Sequence, residues 1–165
     1  MRLAVLSDTH LSSPSPRLTE EYEARLRHMD AVLHCGDHTG EALWGYLAGH
    51  PAFHAVRGNM DAGFGEGQLP ATRVLELNGF RVGMLHGDGL GPGDPLQRMA
   101  DILGRDVDLF CFGHTHRREL RREDGAILLN PGSFRLPKTD SRAGYAVVDL
   151  DPGQGIRVEW VDLEE

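Results

Sequence analysis

Five short segments of this sequence carry side chains that commonly bind metal ions, and each segment follows an apolar run. Three of them place a glycine directly before a candidate ligand, at Gly36, Gly58 and Gly113. Glycine permits positive φ angles and close backbone approach, which lets loops converge. The candidate ligands are Asp8, His10, Asp37, Asn59, His86, His114 and His116. In open sheets, sites form outside the carboxyl ends of the strands, so we expect these side chains to meet at one edge.

This donor set of carboxylates, one amide and imidazoles is too large for a single tetrahedral site, which takes four ligands. It suits two metal ions if one carboxylate bridges them, and Asp37, alone in its turn, is the predicted bridge. Nitrogen and oxygen donors without a thiolate favour manganese, iron, zinc or nickel over an all-oxygen calcium site. Two metals roughly 3.5–4 Å apart can clamp the attacking and leaving oxygens of a phosphoryl displacement. The set therefore predicts phosphoester hydrolysis.

The last of these segments, Gly113-His114-Thr115-His116, holds two histidines two positions apart. In an extended backbone, side chains at i and i+2 share a face, so this pair suits one metal site. On a helix the two rings would point to nearly opposite sides. The spacing alone is a weak signal, and it gains weight only from the matching ligands elsewhere in the chain.

The elements that must position these ligands alternate between strand and helix in the first half of the chain. Predicted strands cover 3–6, 31–35, 53–56, 73–77, 80–85, 109–112, 126–129, 144–150 and 156–161, and predicted helices cover 17–28, 40–48 and the stretch from Asp94 to Gly104. Asn78-Gly79 between two alternating runs predicts a hairpin. Residues 62–70 read as a glycine-rich loop. Beyond residue 116 strands follow one another without helices, which predicts an antiparallel second half.

Length and charge narrow the class of protein. The chain has 165 residues, which fits a single domain spanning residues 1–165. Its net charge of −8 argues against stable, sequence-independent binding of nucleic acid, which needs a basic surface. No run approaches the ~20 apolar residues of a membrane span. Cys35 and Cys111 stand beside apolar residues, so buried thiols are favoured over a disulfide, and a reducing, cytoplasmic location is expected.

The ligand motifs, taken in order, resemble those of the calcineurin-like metallophosphoesterases. They are Asp8-x-His10, Gly36-Asp37, Gly58-Asn59, His86-Gly87 and Gly113-His114-x-His116. The short length and Asn130-Pro131-Gly132-Ser133 make the chain most similar to the small bacterial and archaeal phosphodiesterases of the YfcE type. The resemblance implies an α/β (α+β) fold in which two β-sheets pack face to face as a sandwich, flanked by helices in an αββα four-layer arrangement.

The same resemblance implies how the ligands are shared between two divalent transition metals, with Mn²⁺ as the first choice. Asp8, His10 and His116 would hold the first metal, Asp37 would bridge, and Asn59, His86 and His114 would hold the second. Asp37, Asn59 and His86 would act in catalysis through the metals. A metal-bound hydroxide would attack phosphorus in line.

One position departs from the pattern of many phosphatases in this superfamily, which have histidine after the asparagine as a proton donor to the leaving group. Here that residue is Met60, which cannot donate. Diesters with good leaving groups need less protonation of the leaving oxygen, so a small diester or an anhydride-like substrate is favoured over a monoester. Asp61 is either a substitute acid or an outer partner of the ligands, and the second interpretation is favoured.

Four other features near the ligands allow two interpretations. His38 is either a partner of the ligands or a core residue. Asp88 either orients His86, since ligating imidazoles donate their other N–H to an oxygen, or caps a turn. Arg57 either meets a phosphate or points into the fold. The segment 130–133 is either a plain turn or a wall of the site.

Two other functions compete with the phosphodiesterase. The retromer subunit of this superfamily resembles these enzymes but has lost ligands and serves as a protein-binding scaffold, whereas this chain keeps the whole set. A nuclease like the larger members would need a capping domain and a basic face, which a short acidic sequence does not predict. The resemblance also suggests a homo-oligomer. The expected partner is a small phosphoester substrate, with no membrane.

Overall fold

The first strand shows how the sequence builds two apolar layers at once. Leu3 and Val5 face one cluster of buried side chains, whereas Ala4 and Leu6 face another. A strand buried on both faces reads as a continuous apolar run rather than as an alternating one. In the computed structural model, which describes residues 1–64 and 69–163, this strand lies at the centre of a five-stranded sheet.

The described residues form ten strands and three α-helices. The strands are β1 (Arg2–Leu6), β2 (Ala31–His34), β3 (Phe53–Ala55), β4 (Thr72–Leu77), β5 (Phe80–Leu85), β6 (Leu109–Cys111), β7 (Arg118–Glu123), β8 (Ala126–Pro131), β9 (Gly144–Asp151) and β10 (Gly155–Asp162). The helices are α1 (Pro16–Ala24), α2 (Glu41–Leu47) and α3 (Pro95–Leu103), with a 3₁₀ helix at Leu26–His28. Part of the predicted loop over 62–70, namely residues 65–68, lies outside the described residues.

Two mixed sheets result, with strand orders β10-β9-β1-β2-β3 and β4-β5-β6-β8-β7. Side chains from both sheets share one cluster, which is the layer between them. A second cluster joins the outer face of the first sheet to α1 and α2, and a third joins the second sheet to α3. The predicted sandwich of two sheets flanked by helices is confirmed.

The parallel pairs decide where the site can form. Strands β1, β2 and β3 run parallel to one another, and so do β5, β6 and β8. The turns after β1, β2, β3, β5 and β6 carry the candidate ligands, so all of them leave a sheet at its carboxyl end. The prediction of an antiparallel second half beyond residue 116 holds for β7–β8 and β9–β10, but β8 also pairs parallel with the earlier strand β6.

Local sequence features explain several element boundaries. The Asn78-Gly79 hairpin is confirmed, and both residues have positive φ (50° and 84°), as a two-residue turn of the primed type requires. Helix α3 begins as expected, because the Asp94 side chain accepts the N–H of Gln97. The helix predicted over 17–28 ends early at Ala24, because Arg25 leaves the helical region with φ −136°.

Strand β7 was not predicted. It is an edge strand made largely of arginine and glutamate, so it lacks the apolar alternation by which strands are recognised. The turn that follows, Asp124-Gly125, has positive φ at both residues and is itself a hairpin signal. In the described part of the chain, no helix has the length and apolar character needed to cross a membrane.

Candidate metal centre

Three side chains form a first cluster at the carboxyl ends of β1 and β6. The Nε2 atoms of His10 and His116 lie 3.1 Å apart, and Oδ1 of Asp8 lies 3.3 Å from Nε2 of His116 and 3.9 Å from that of His10. His116 Nδ1 lies 2.7 Å from the Leu136 carbonyl, which can only accept, so Nδ1 carries the proton. In the neutral ring Nε2 therefore points a lone pair at the other two donors.

A second cluster surrounds the buried ring of His86. Its Nδ1 donates to the Cys35 carbonyl at 2.7 Å, so its neutral Nε2 is also a bare acceptor. That nitrogen lies 3.1 Å from Oδ1 of Asn59 and 3.4 Å from Oδ2 of Asp37. Oxygen and nitrogen lone pairs aimed at one another repel unless a cation lies between them. This cluster is therefore arranged for a positive charge.

Asp37 stands between the two clusters. Its Oδ2 lies 3.7 Å from Nε2 of His10 and 3.4 Å from Nε2 of His86, while its Oδ1 accepts the N–H of Met60 at 2.8 Å. One carboxylate oxygen thus faces both groups of nitrogens. Asp8 also approaches both, since its Oδ1 lies 3.9 Å from Nε2 of His86.

His114 occupies a different position from the other six. Its ring lies beside that of His86, with centroids 5.3 Å apart, and its backbone N–H donates to Oδ2 of Asp8 at 3.0 Å. The side chain is exposed, and within the described residues it adds no atom to either of the tight ligand groups. The structure therefore brings six of the seven predicted side chains into direct proximity and leaves the seventh at their margin.

The electrostatics of the clusters favour a bound cation. Asp8 is fully buried, its Oδ1 has no hydrogen-bond partner in the described structure, and burial raises its pKa. Burial by itself would lower the pKa of His86, but the carboxylates of Asp37 and Asp8 raise it overall. A buried carboxylate oxygen without a partner is costly, and a divalent cation bound by it removes that cost. The residues present fit such an ion.

Strained backbone presents the ligands. Among the described residues, eight other than glycine have positive φ, and five of these are candidate ligands: Asp8 (51°), His10 (48°), Asp37 (59°), His114 (66°) and His116 (56°). Left-handed conformations cost about 1 kcal/mol or more each and tend to cluster at functional sites. Aspartate and histidine are among the residues that tolerate this region best.

Two glycines are required by close approach rather than by φ. A Cβ on Gly113 would lie 1.8 Å from Oγ of Ser7 and 2.6 Å from Oδ2 of Asp8. One on Gly58 would lie 2.1 Å from Oδ1 of Asp37. Gly58 and Gly113 therefore each make room for the carboxylate of another segment, which lets separate loops converge.

Comparison with known proteins agrees with this geometry. The chain matches the sequence model of the calcineurin-like phosphoesterase superfamily domain over residues 1–153. The protein belongs to this superfamily.

Individual members show the same relationship. The chain is 33% identical over 138 residues to a probable metallophosphoesterase of Methanothermobacter thermautotrophicus, covering 84% of this chain and 80% of that protein. A predicted phosphoesterase from Streptococcus pneumoniae superposes with a TM-score of 0.77 at 26% identity, covering 98% of this chain and 88% of that one. Vps29 from Chaetomium thermophilum superposes with a TM-score of 0.76 at 25% identity, covering 97% and 95%. As a superfamily member, the protein is a metal-dependent phosphoesterase.

In this phosphoesterase Asp61 organises the loops that carry two of the ligands. Its Oδ2 accepts the backbone N–H groups of Asp37 at 2.9 Å and Gly58 at 2.8 Å, and its Oδ1 accepts that of Thr39 at 2.9 Å. His38 Nδ1 lies 3.1 Å from Oδ2. Burial would raise the pKa of Asp61, but these contacts hold it well below its usual value. Asp61 and His38 are thus outer partners of the ligands.

The segment 130–133 supports the opposite side of the centre, so it is more than a plain turn. Asn130 Nδ2 donates to the Gly113 carbonyl at 2.8 Å and lies 3.0 Å from Oγ1 of Thr115. Ser133 Oγ donates to the Asp8 carbonyl at 2.6 Å. These bonds fix the turns that present the first cluster.

The remaining interpretations are settled by position. Asp88 is exposed, and the oxygen that orients His86 is the Cys35 carbonyl, so of the two interpretations of Asp88 the orienting role is excluded. A backbone carbonyl leaves no mark in a sequence, which is why Cys35 and Leu136 were not foreseen. Arg57 is exposed at the site and does not point into the fold.

Proposed function

We propose that this phosphoesterase is a dinuclear phosphodiesterase. One observation carries the proposal: Oδ2 of Asp37 faces the nitrogens of His10 and His86 at similar distances, 3.7 and 3.4 Å. An oxygen in that position suits a ligand shared by two ions. The Nε2 atoms of His10 and His116, 3.1 Å apart, also suit one ion, since nitrogens about 2.1 Å from a metal lie roughly 3 Å from each other.

The residues divide between two metals. Asp8, His10 and His116 would hold the first, Asn59, His86 and His114 the second, and Asp37 would bridge. For His114 this requires its exposed ring to turn toward the ring of His86, which lies next to it. Mixed nitrogen and oxygen donors without thiolate suit manganese, iron, zinc and nickel alike. Of these, we propose manganese first.

Two bound divalent ions would lower the pKa of a water near phosphorus, so that it attacks in line, and would neutralise charge on the phosphoryl oxygens. The protein's own part is positional. The Cys35 carbonyl holds the His86 ring, and the Leu136 carbonyl holds the His116 ring, each through Nδ1–H. Asp61 fixes the backbone at Asp37, so the donors are aligned before substrate arrives.

A diester preference follows from the position after Asn59. Met60 is 55% exposed and has no proton to give to a leaving oxygen. Asp61 does not replace it, because both of its carboxylate oxygens are already used by backbone N–H groups. Substrates whose leaving group departs without protonation should therefore react best, and small activated diesters belong to that class.

The direct test is the hydrolysis of bis(4-nitrophenyl) phosphate with manganese by the native protein and by Asp37→Ala and His86→Ala. Both variants should lose at least about 100-fold in kcat/KM, since even outer partners of metal ligands are worth 10- to 100-fold. His54→Ala is the matched control, because His54 lies on β3 away from the ligands. Equal rates in the native protein and the two variants would overturn the proposal.

Two further measurements refine the result. Metal analysis should find two manganese equivalents per chain, and one equivalent would contradict a dinuclear centre. The diester should be a better substrate than 4-nitrophenyl phosphate, and the reverse order would contradict the diester preference. Less than one equivalent of tightly bound metal, with no metal-dependent turnover, would favour a scaffold, one of the two other functions considered for this chain.

A further inference from the structure

A cavity of about 450 Å³ opens directly beside the second cluster. Asn59 and His86 both line it, so a phosphoryl group held there would have the cavity within reach of its substituents. The volume falls in the range of small-molecule binding sites, roughly 300–1,000 Å³. Five apolar side chains also line it: Ala62, Ala71 and Leu90 from the loops, Leu85 from the end of β5, and Ile102 from α3. Glycines and the polar residues Asp61, Thr72 and Asp88 complete the wall beside Arg57.

Ile102 is the feature of this wall that the fold does not explain. Helix α3 packs on the second sheet through Leu96, Met99 and Leu103, which are buried. Ile102 points away from that contact and is 53% exposed. About half of this large aliphatic residue is therefore left uncovered by the packing of the helix. Ile102 lines the same cavity as Asn59 and His86, so a group bound in the cavity would contact it.

Arg57 adds a cation to the same cavity. Its backbone N–H is bonded to the Pro70 carbonyl at 2.9 Å, which fixes the chain at this point, and its side chain is exposed. Within the described residues the guanidinium takes part in no ion pair. A planar guanidinium can stack on an aromatic face, and it also favours an anionic substrate. An apolar wall and a planar cation together suit a flat aromatic group attached to a phosphate.

We propose that this cavity binds an aromatic ester substituent of the substrate, of aryl or nucleobase type, while the phosphoryl group lies at the metal centre. The proposal rests on the proposed function and narrows it to aromatic phosphodiesters. Ile102 and Leu90 contact the ring, and Arg57 lies beside it. The recognition is by shape and apolar contact, so small alkyl substituents gain nothing from the cavity.

The test measures binding rather than turnover. Dissociation constants for phenylphosphonate and methylphosphonate are determined by calorimetry on the manganese-loaded protein. Both probes carry the same anionic head, and they differ only in the group that reaches the cavity. Partial burial of the ring should make phenylphosphonate bind about tenfold more tightly. The ratio of the two constants cancels any difference in metal loading.

Matched variants assign the effect to the cavity. Ile102→Ser should reduce the ratio to about two- or threefold. Leu120→Ser is the control, because Leu120 is also an exposed aliphatic residue (38%) but lies on the edge strand β7 outside the cavity; it should keep the native ratio. Neither residue is part of the metal centre, so both variants should bind methylphosphonate as the native protein does.

Each outcome decides the proposal. A native ratio near one, no binding of either probe, or the same fall of the ratio in both variants would overturn it. Failure of the proposed function would be seen in a different measurement, as absent hydrolysis of the activated diester. The comparison of the two dissociation constants does not depend on turnover, so it can succeed or fail independently.

Discussion

The Nε2 atoms of His10 and His116 lie 3.1 Å apart, although 106 residues separate them in the chain. Both rings reach that point from turns with left-handed φ, and one of them is oriented by the Leu136 carbonyl. The ring of His114, two residues from His116, lies instead beside His86. The two neighbouring histidines thus lie beside different clusters, whereas their spacing alone suggested one shared site.

The first prediction concerns this division. His116→Ala should weaken the first metal by more than about 100-fold and leave the second nearly unchanged, whereas His114→Ala should weaken mainly the second. The loss from His114 should be smaller, because its ring lies at the margin of the centre. Manganese titration that resolves two binding steps makes the measurement. Identical loss of both steps in each variant would show that the metals bind as one unit.

Asp61→Asn tests the hydrogen bonds by which the Asp61 carboxylate holds the backbone at Asp37. The variant keeps the shape but replaces one carboxylate oxygen by an NH₂ group that faces backbone N–H donors. We expect manganese affinity to fall 10- to 100-fold and the free energy of unfolding to fall by about 1–3 kcal/mol. Calorimetric titration and chemical denaturation measure the two effects. Asp88→Asn, at an exposed aspartate near the same site, should change neither; unchanged metal affinity in Asp61→Asn would refute a positioning role.

Met60→His restores a proton donor next to Asn59. Met60 is exposed, and its bond to Asp37 uses the backbone N–H, so the new ring can be accommodated without loss of that contact. General acid catalysis is worth about 10²–10⁴-fold, so hydrolysis of monoesters with poor leaving groups should rise by at least about tenfold. Activated diesters should change little. Leu120→His controls for an added histidine; an equal gain on both substrate classes would contradict the explanation.

Gly113→Ala should be strongly destabilising, because its Cβ would overlap Ser7 and the Asp8 carboxylate. We expect a loss of about 2–4 kcal/mol in unfolding free energy together with weakened binding of the first metal. Gly45→Ala is the opposite case. Gly45 lies in α2 with open space around it, so alanine should stabilise by about 0.5–1 kcal/mol. Thermal unfolding of both variants measures the difference, and a tolerated Gly113→Ala would refute the close contact.

Asp94 gives a prediction with pH. Its slight burial would raise its pKa, but the hydrogen bonds from Arg121 and from the Gln97 N–H lower it. Since the folded pKa lies below the unfolded one, ionised Asp94 stabilises the fold above the unfolded pKa of about 3.9, and that contribution disappears as pH falls through the folded pKa. Asp94→Asn keeps the cap, so it should cost less than about 1 kcal/mol at neutral pH.

Denaturation of Asp94→Asn at several pH values measures this effect. The difference from the native protein should shrink toward zero in acid. Asp101→Asn, at an exposed aspartate within α3 whose only ion pair among the described residues is with the exposed Arg105, should stay within about 0.5 kcal/mol of the native stability at neutral pH. A difference for Asp94→Asn that grew in acid would contradict the lowered pKa.

The sequence predicted the meeting of the ligand turns because that feature depends on local patterns, whereas the sandwich was implied by the resemblance to the calcineurin-like metallophosphoesterases. Apolar runs mark β1, β2, β5 and β6, and each ends in a turn with a ligand type. Strand β7 escaped prediction because it is charged and pairs at an edge, where packing imposes no apolar pattern. The parallel contact of β8 with β6 was not foreseen either, since it depends on a crossover that includes β7.

Within the centre, the groups that could not be foreseen are those whose action depends on long-range geometry. Asn130 reaches the Gly113 turn only because β8 lies beside β6, and the Cys35 carbonyl reaches His86 only across the two sheets. The interpretation of Asp61 as an outer partner agrees with its contacts. The motif could not predict whether the His114 ring contacts the other ligands, because that depends on the rotation of one exposed side chain.

The left-handed φ angles at five candidate ligands have a consequence for how this protein can change over time. Residues that tolerate such angles are few, and aspartate, asparagine, histidine and glycine are foremost among them. Backbone and metal chemistry thus select overlapping sets of side chains at the same positions. In a descendant that had lost its metal, the left-handed turns would still restrict these positions to the same few residue types. Asp would be replaced there by Asn more readily than by Val. Ligand-type residues retained in such a lineage would then reflect the backbone conformation of the loops rather than metal binding.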